Sequence, residues 1–293
     1  MINFATLQGL TIPEGVVTQI ADASGRVIWA VSGGKVVLEV EKITSNTYAS
    51  ETTYTGESFI LLNIYPKTNG TVSVTYGGLT KTITDTSGAV TPNAQQVFFG
   101  TFNGVSDSVT TPVSGELTIE GDCRCFSVGS YSSSKSATAY CGCITAVKSF
   151  GTIEEFVSNN FRGCTALTSV TIPDKINTIM SSNFYGCTGL KSVTLPSNLI
   201  NLGSSLFDDG VFNGCTGLTS VTIPHKVSNI GLKCFYGCSN LTEIIFLCTT
   251  PPTLYDDMAL YGSYPIIVPA GCGDAYKAEQ YWANVAGRIV EAS

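Results

Sequence analysis

In the second half of the chain, apolar and polar residues alternate within a word that recurs five times, cleanest as CTGLTSVTIP from Cys215. The leading cysteines, Cys141, Cys164, Cys187, Cys215 and Cys238, stand 23, 23, 28 and 23 residues apart. Three positions after each comes Ile144, Leu167, Leu190, Leu218 or Leu241, and three further on Val147, Val170, Val193, Val221 or Ile244. Ile172, Leu195 and Ile223 follow in the middle copies, each before Pro173, Pro196 or Pro224. Proline brings no ladder donor, so it marks the end of a strand. The apolar pairs Ile153/Phe156, Ile176/Ile179, Leu199/Leu202 and Val227/Ile230 come next. An aromatic, Phe161, Phe184, Phe212 or Phe235, then precedes the following cysteine. The pattern predicts one short strand and a return path per coil. A unit of this length cannot bury its own apolar side, so the copies must stack into a solenoid with a shared core.

Successive strand residues face opposite ways. With Val170 and Ile172 inward, Ser169 and Thr171 point out, as do Ser192 and Thr194, Ser220 and Thr222, and Glu243 with Ile245. Rungs about 4.8 Å apart would align these side chains in columns on one flat face, the candidate ligand face. Ser and Thr are equally ordinary solvent-facing strand residues, and no Trp, Tyr or Arg anchor interrupts the columns. The first copy has Ser149 and Phe150 in place of the apolar–proline pair, which suits a terminal coil. The third carries five extra residues around Phe207, Asp208, Asp209 and Gly210, a bulging loop. Beyond the last copy, Pro265–Pro269 offers one more strand. Asp274 is expected to cap a final helix carrying Tyr276, Tyr281, Trp282 and Val285, which would cover the open end of the stack.

The first half has a shorter period. Residues 1–34 suggest a small β-arm folded around an Asp-Ala-Ser-Gly turn, ending at the joint Ser32-Gly33-Gly34. Residues 35–121 hold six or seven strand-like runs, among them a hairpin turned by Gly77 and Gly78, and predict a β-sandwich. Residues 122–140 are Ser-rich and are assigned as linker and N-terminal cap, leaving 141–293 as the solenoid with its C-terminal cap. The fold class is mainly β.

The pattern F-x-G-C-x-x-L-x-x-V-x-I-P with its 23-residue step resembles the BspA-type leucine-rich repeats of bacterial surface proteins, over about residues 141–293. That resemblance implies a leucine-rich-repeat solenoid of about five coils. It also implies a non-enzymatic role in adhesion to a protein or glycan on a host or cell surface, and a cell-surface or extracellular location. Residues 35–121 resemble bacterial immunoglobulin-like modules in length and strand count. The N-terminal arm resembles segments that open prophage structural proteins. The opening MINFATLQGLTIPEG has neither a basic n-region nor a continuous apolar h-region, so a secretory signal is not expected. This supports an alternative reading as a phage or prophage tail appendage with a receptor-binding repeat domain.

Composition narrows the chemistry. With 43% hydrophobic and 13% charged residues the chain can bury a core. A net charge of −7 without any run of Lys or Arg argues against nucleic acid and anionic membranes as partners. No apolar stretch is long enough to span a bilayer, so no membrane insertion is expected. Of eleven cysteines, five hold the repeat position and Cys234 stands beside Phe235. Equivalent positions on stacked coils point the same way, which favours buried free thiols over disulfides. Cys123-x-Cys125 with Cys141-x-Cys143 is the one metal-like pattern. C-x-C pairs suit zinc less well than C-x-x-C, so free thiols or a local disulfide are preferred.

The single histidine, His225, occupies a turn position held by Asp174 and Ser197 in neighbouring copies and has no partner histidine, which argues against a nucleophilic triad. The acid pairs Glu154-Glu155, Asp208-Asp209 and Asp256-Asp257 face no matching acid at a defined separation. Ser32-Gly33-Gly34-Lys35 lacks the rest of a phosphate loop. No catalytic residue, metal site or cofactor is predicted.

Overall fold

The computed structural model describes residues 19–21, 27–30, 36–40, 59–67, 69–87, 95–102, 105–106, 115–121, 123–128, 144–151, 153, 155–204 and 210–293. Cys141, Cys143, Glu154 and Asp208-Asp209 lie outside them.

Among these residues the N-terminal half is antiparallel. In the arm, Gln19–Ala21 pairs with Val27–Ala30. Phe59–Pro66 pairs with Gln95–Phe102 on one side and with Cys123–Val128 on the other. Cys123–Val128 is thus a sheet strand, although it falls in the segment assigned from sequence as linker. Its pattern of small and polar residues gives no alternation, yet Phe126 is fully buried and Cys123 nearly so. The hairpin Thr71–Tyr76/Leu79–Thr84 turns through Gly77 and Gly78 at φ 58° and 79°, as a two-residue type I′ turn requires. Its inner face buries Val72, Val74, Tyr76 and Ile83, while Thr75 and Thr80 share a 2.9 Å hydroxyl bond on the outer face.

The two halves share one sheet. Ile144–Phe150, the strand of the first coil, pairs antiparallel with Val36–Val40 along its length and parallel with Ser169–Thr171 through Ala146. A seven-stranded sheet therefore runs from the hairpin through Gly115–Gly121, Val36–Val40 and Ile144–Phe150 into the coils. Behind it, the Phe126 ring meets Phe161 edge-on at 5.7 Å, and Asn160 donates its side-chain amide to the Phe126 carbonyl. The N-terminal strands cover what would otherwise be an open rung.

Each coil is bent by the chemistry of its corners. Gly163, Gly186, Gly214 and Gly237 take φ between 69° and 74°, a left-handed conformation that costs glycine little. This turns the chain from aromatic to cysteine. The rungs Ser169–Thr171 and Ser192–Thr194 then pair in parallel register, as do Ser220–Ile223, Glu243–Phe246 and Ile266–Val268. At the proline corner the Ile176, Leu199 and Val227 amides donate back to the Pro173, Pro196 and Pro224 carbonyls at 3.0–3.1 Å. A second ladder of two-residue strands follows: Thr178–Ile179, Asn201–Leu202, Asn229–Ile230 and Thr253–Leu254.

Inside the coils the apolar positions form columns. Phe161, Phe184, Phe212 and Phe235 are fully buried and stack with centroids 5.5 Å apart and planes within 16° of parallel. Burial of one such ring contributes roughly 1.5–3 kcal/mol. Beside them, Cys187, Cys215 and Cys238 donate their thiols to the Phe161, Phe184 and Phe212 carbonyls of the preceding coil, at 2.9–3.1 Å. Cysteine fits this position because it is small and still offers a weak donor.

The main ladder is interrupted once. Lys191 N–H reaches the Thr168 carbonyl at 2.9 Å and Thr242 N–H the Thr219 carbonyl at 2.8 Å, but Thr219 N–H lies 3.5 Å from the Lys191 carbonyl. The sheet accordingly breaks between Ser192–Thr194 and Ser220–Ile223, in the coil that carries the five extra residues. The second ladder and the phenylalanine column pass this point unbroken.

The tail covers the far end as expected, but its helix is capped by a different device. Asp274 sits in the first turn of the helix Gly273–Ala278; its N-cap is Cys272, without a side-chain bond. The Glu291 carboxylate accepts from the Gly271 and Gly273 amides instead, at 3.0 and 2.7 Å. The helix stops before Tyr281, which is left-handed at φ 64°, and resumes as the 3-10 helix Trp282–Arg288. Tyr276 and Trp282 are buried edge-on against Phe246 at 5.9 and 5.1 Å. They donate to the Cys248 and Pro252 carbonyls, both at 2.7 Å. Ile289–Glu291 then adds a further parallel rung beside Ile266–Val268.

Candidate functional site

The main rungs place Ser169 beside Ser192, Thr171 beside Thr194, Ser220 beside Glu243 and Thr222 beside Ile245. The Ser and Thr residues of this set are exposed and Glu243 is half-buried, while Val170, Val221 and Ile244 between them point into the core. The structure thus brings the predicted face together as two patches, one on each side of the interrupted ladder. At its N-terminal margin Lys148 forms a 2.8 Å ion pair with Glu116 of the first half. A shallow depression of about 450 Å³ lies there, lined by Lys148, Ser149, Thr171 and Pro173 among others. Toward the C-terminus the outward column turns apolar, through Ile245 and Ile267 to the exposed Val290.

The second ladder presents a different chemistry. Thr178, Asn201, Asn229 and Thr253 are in register. Asn229 donates to the Asn201 side-chain oxygen at 2.8 Å, Asn201 to Thr178 at 3.3 Å, and the Tyr255 hydroxyl to Asn229 at 3.3 Å. These polar groups bond to one another from coil to coil, a use that strengthens the stack. At the proline corner Asp174 accepts from the Ser197 backbone amide and hydroxyl at 2.6 and 2.9 Å, which holds its carboxyl below the usual range.

The turn between aromatic and cysteine carries a third column. Arg162, Tyr185, Asn213 and Tyr236 hold equivalent places in Phe-x-Gly-Cys. Phe161, Phe184 and Phe212 donate their amides to the Asn183, Val211 and Cys234 carbonyls of the next coil, and Phe235 donates likewise to Ala259. Leu260 therefore stands in the aromatic's place and Tyr261 in that of Tyr236. The Arg162 guanidinium lies 3.9 Å from the Tyr185 ring centre, and the Tyr236 and Tyr261 rings are 5.1 Å apart. Sequence reading passed over this column because the position changes from coil to coil. The recurring place between Phe and Gly was the available signal.

Reactive groups do not converge among the described residues. Burial pushes the Cys187 and Cys238 thiols up to about 12 and Cys248 to about 11, so they stay protonated at neutral pH. Cys123 is buried, and no cluster of metal-ligating side chains occurs among the described residues. His225 is exposed at its turn. Glu155 is exposed, and Asp256 accepts from the Lys233 backbone amide while partial burial raises its carboxyl.

Residues 132–251 match the BspA type leucine rich repeat region in six copies, one more than the cysteine-led words. A leucine-rich repeat protein from Bacteroides ovatus of known crystal structure is similar at 21% identity, over 48% of this chain and 37% of that one, with a TM-score of 0.33. This chain thus spans little more than a third of that protein's length. No curated protein matches the chain. Regions of this type are typically non-enzymatic binding modules and often surface-associated. No helix among the described residues is long and apolar enough to cross a membrane. The motif, the stacked coils and the family match agree on a leucine-rich-repeat solenoid, and residues 132–251 carry its BspA-type repeat region.

Proposed function

We propose that the chain is a non-enzymatic adhesion or recognition protein, acting at a cell surface, that binds a protein or glycan through its repeat solenoid. The observation that carries this reading is the in-register display of exposed side chains on a stack whose core and corners are internally bonded. A preordered surface of that kind loses little entropy on binding a partner. Protonated thiols, a lone exposed histidine and dispersed acids support binding in preference to catalysis. The reading is tested by presenting the full chain to arrays of host-surface proteins and glycans and by labelling intact producing cells with antibody. Saturable binding that weakens when Thr171 and Thr194 are changed to Arg supports the rung face. Silence on both arrays, or label appearing only after lysis, defeats the reading.

A further inference from the structure

Among the described residues, the first two coils meet closely along only one of their three sides. On the turn side the Phe161 and Phe184 rings stack at 5.5 Å and 6°, and the Phe161 and Gly163 amides donate to the Asn183 and Tyr185 carbonyls at 2.9 and 2.8 Å. On the rung side a single pair, Ala146 with Ser169, joins the strands. On the third side the second ladder starts only at Thr178–Ile179, and residues 155–157 of the first coil form no strand. Depressions lie in both openings: the one of about 450 Å³ at the margin of the rung face, and one of about 490 Å³ where Phe156, Val157 and Ser158 face Asn177, Thr178 and Met180. The first coil is tied instead to the N-terminal half. Ile144–Phe150 pairs with Val36–Val40 along its length, the Phe126 ring meets Phe161, and Asn160 donates to the Phe126 carbonyl.

One position of the repeat accounts for the opening. Val157, Met180, Gly203 and Gly231 are equivalent, each directly following the apolar residue that ends its coil's apolar pair. Where both coils carry glycine, a Cβ added at Gly231 would fall 2.8 Å from the Gly203 Cα, so the backbones approach too closely for a side chain. Gly203 N–H reaches the Ile179 carbonyl and Gly231 N–H the Leu202 carbonyl, both at 2.8 Å. Such a Cβ points back at the preceding coil. In the second coil that direction is taken by the Met180 side chain, which lines the larger depression together with Val157. The equivalent bond, from Met180 N–H to the Phe156 carbonyl, is not made.

We propose that this seam is a hinge held ajar by Met180, at which the N-terminal half, carrying the first coil with it, closes on the rest of the solenoid. The turn column is the pivot. In the closed arrangement Met180 N–H bonds to the Phe156 carbonyl, the second ladder gains a rung and the larger depression is lost. Few hydrogen bonds cross the seam away from the pivot, so its opening and closing cost little free energy. Closure re-angles Lys148 and Glu116 against Ser169 and Thr171, at the margin of the rung face. The hinge stands whether that face binds a protein, a glycan or nothing.

Amide hydrogen exchange, resolved by NMR on the full chain, tests this. Protection is taken relative to the unfolded chain. In the parent the Met180 amide should be protected about tenfold less than those of Gly203 and Gly231, yet still measurably, because the closed arrangement is visited. Met180→Gly removes the wedge and should raise protection at this amide about tenfold, toward that of Gly203, with Thr242 unchanged. Adding Val157→Trp to that variant should abolish the gain. A parental Met180 amide as protected as Gly203 overturns the hinge, and so does one with no protection. Met180→Gly that leaves protection where it was overturns the wedge and the proposal with it. Should that variant lose Thr242 protection through general unfolding, Met180→Ala decides: a gain at this amide supports the hinge, and no gain overturns it.

Discussion

The two ends of the coil stack are closed by opposite means. At the N-terminal end, Val36–Val40 adds to Ile144–Phe150 through backbone hydrogen bonds, and a separate set of strands supplies the cover. At the C-terminal end the cover is made of side chains: Phe246, Tyr276 and Trp282 close on one another, with the two polar tips donating to carbonyls of the last coil. The first solution requires a partner strand distant in sequence. The second needs only residues that immediately follow the last copy. A repeat array can thus be finished locally at one end while being built onto a neighbouring module at the other.

The centre of the stack, on which both closures depend, should be the most sensitive. Leu190 is fully buried and Ser192, two residues on, is exposed. Leu190→Asp should unfold the solenoid, since an unpaired buried carboxylate costs several kcal/mol. Ser192→Asp should stay within about 0.5 kcal/mol of the parent. Equal losses on denaturant titration would contradict the inward and outward assignment.

At the C-terminal plug, Trp282→Ala should cost about 3–5 kcal/mol and also strip the Pro252 carbonyl of its donor. Native-state thiol labelling should then reach Cys248 well before Cys187. Simultaneous exposure of both would mean that the plug and the central coils open as one unit.

Alkali should act on the cysteine column. Burial raises the folded thiols above their ordinary value of 9.0, to about 12 for Cys187 and Cys238. Their contribution is therefore complete below about pH 9 and is lost as the pH climbs toward 12, at about 1.4 kcal/mol per unit for each thiol. Tm should fall steeply above pH 9, and less steeply in Cys187→Ala. Identical slopes would assign the alkaline loss to other groups.

The smallest effect belongs to the N-terminal junction. Lys148 and Glu116 are both well exposed, so Lys148→Ala should cost at most about 1 kcal/mol, and less in high salt. A larger loss would show that this ion pair, and not the backbone pairing, fastens the two halves.

How much of this was legible in the sequence depended on how local the cause was. The 23-residue step, the buried Leu and Phe columns and the rung residues that point outward all follow from short-range periodicity, and the structure places them as the pattern requires. The strand Cys123–Val128 and the joining of Val36–Val40 to Ile144–Phe150 are long-range pairings that leave no periodic trace in either partner. The tail aromatics were expected to cover the end, and Tyr276 and Trp282 do. The capping of Gly273 by Glu291 spans 18 residues, and the helix break at Tyr281 carries no glycine or proline to announce it. Tyr236 and Tyr261 escaped notice for another reason. Their equivalence appears only when the Phe235 amide is seen bonding to Ala259, which extends the coil series past the last cysteine word.

The gap between Ser192–Thr194 and Ser220–Ile223 has a further meaning. There the coils part along one edge while the asparagine ladder and the phenylalanine pile hold them in step, much as a book opened at one page stays bound at its spine. Such an array can accept extra length in a single turn without shifting any later turn out of phase. The 28-residue copy is thus the natural place for this scaffold to grow a new loop, or to receive a grafted one.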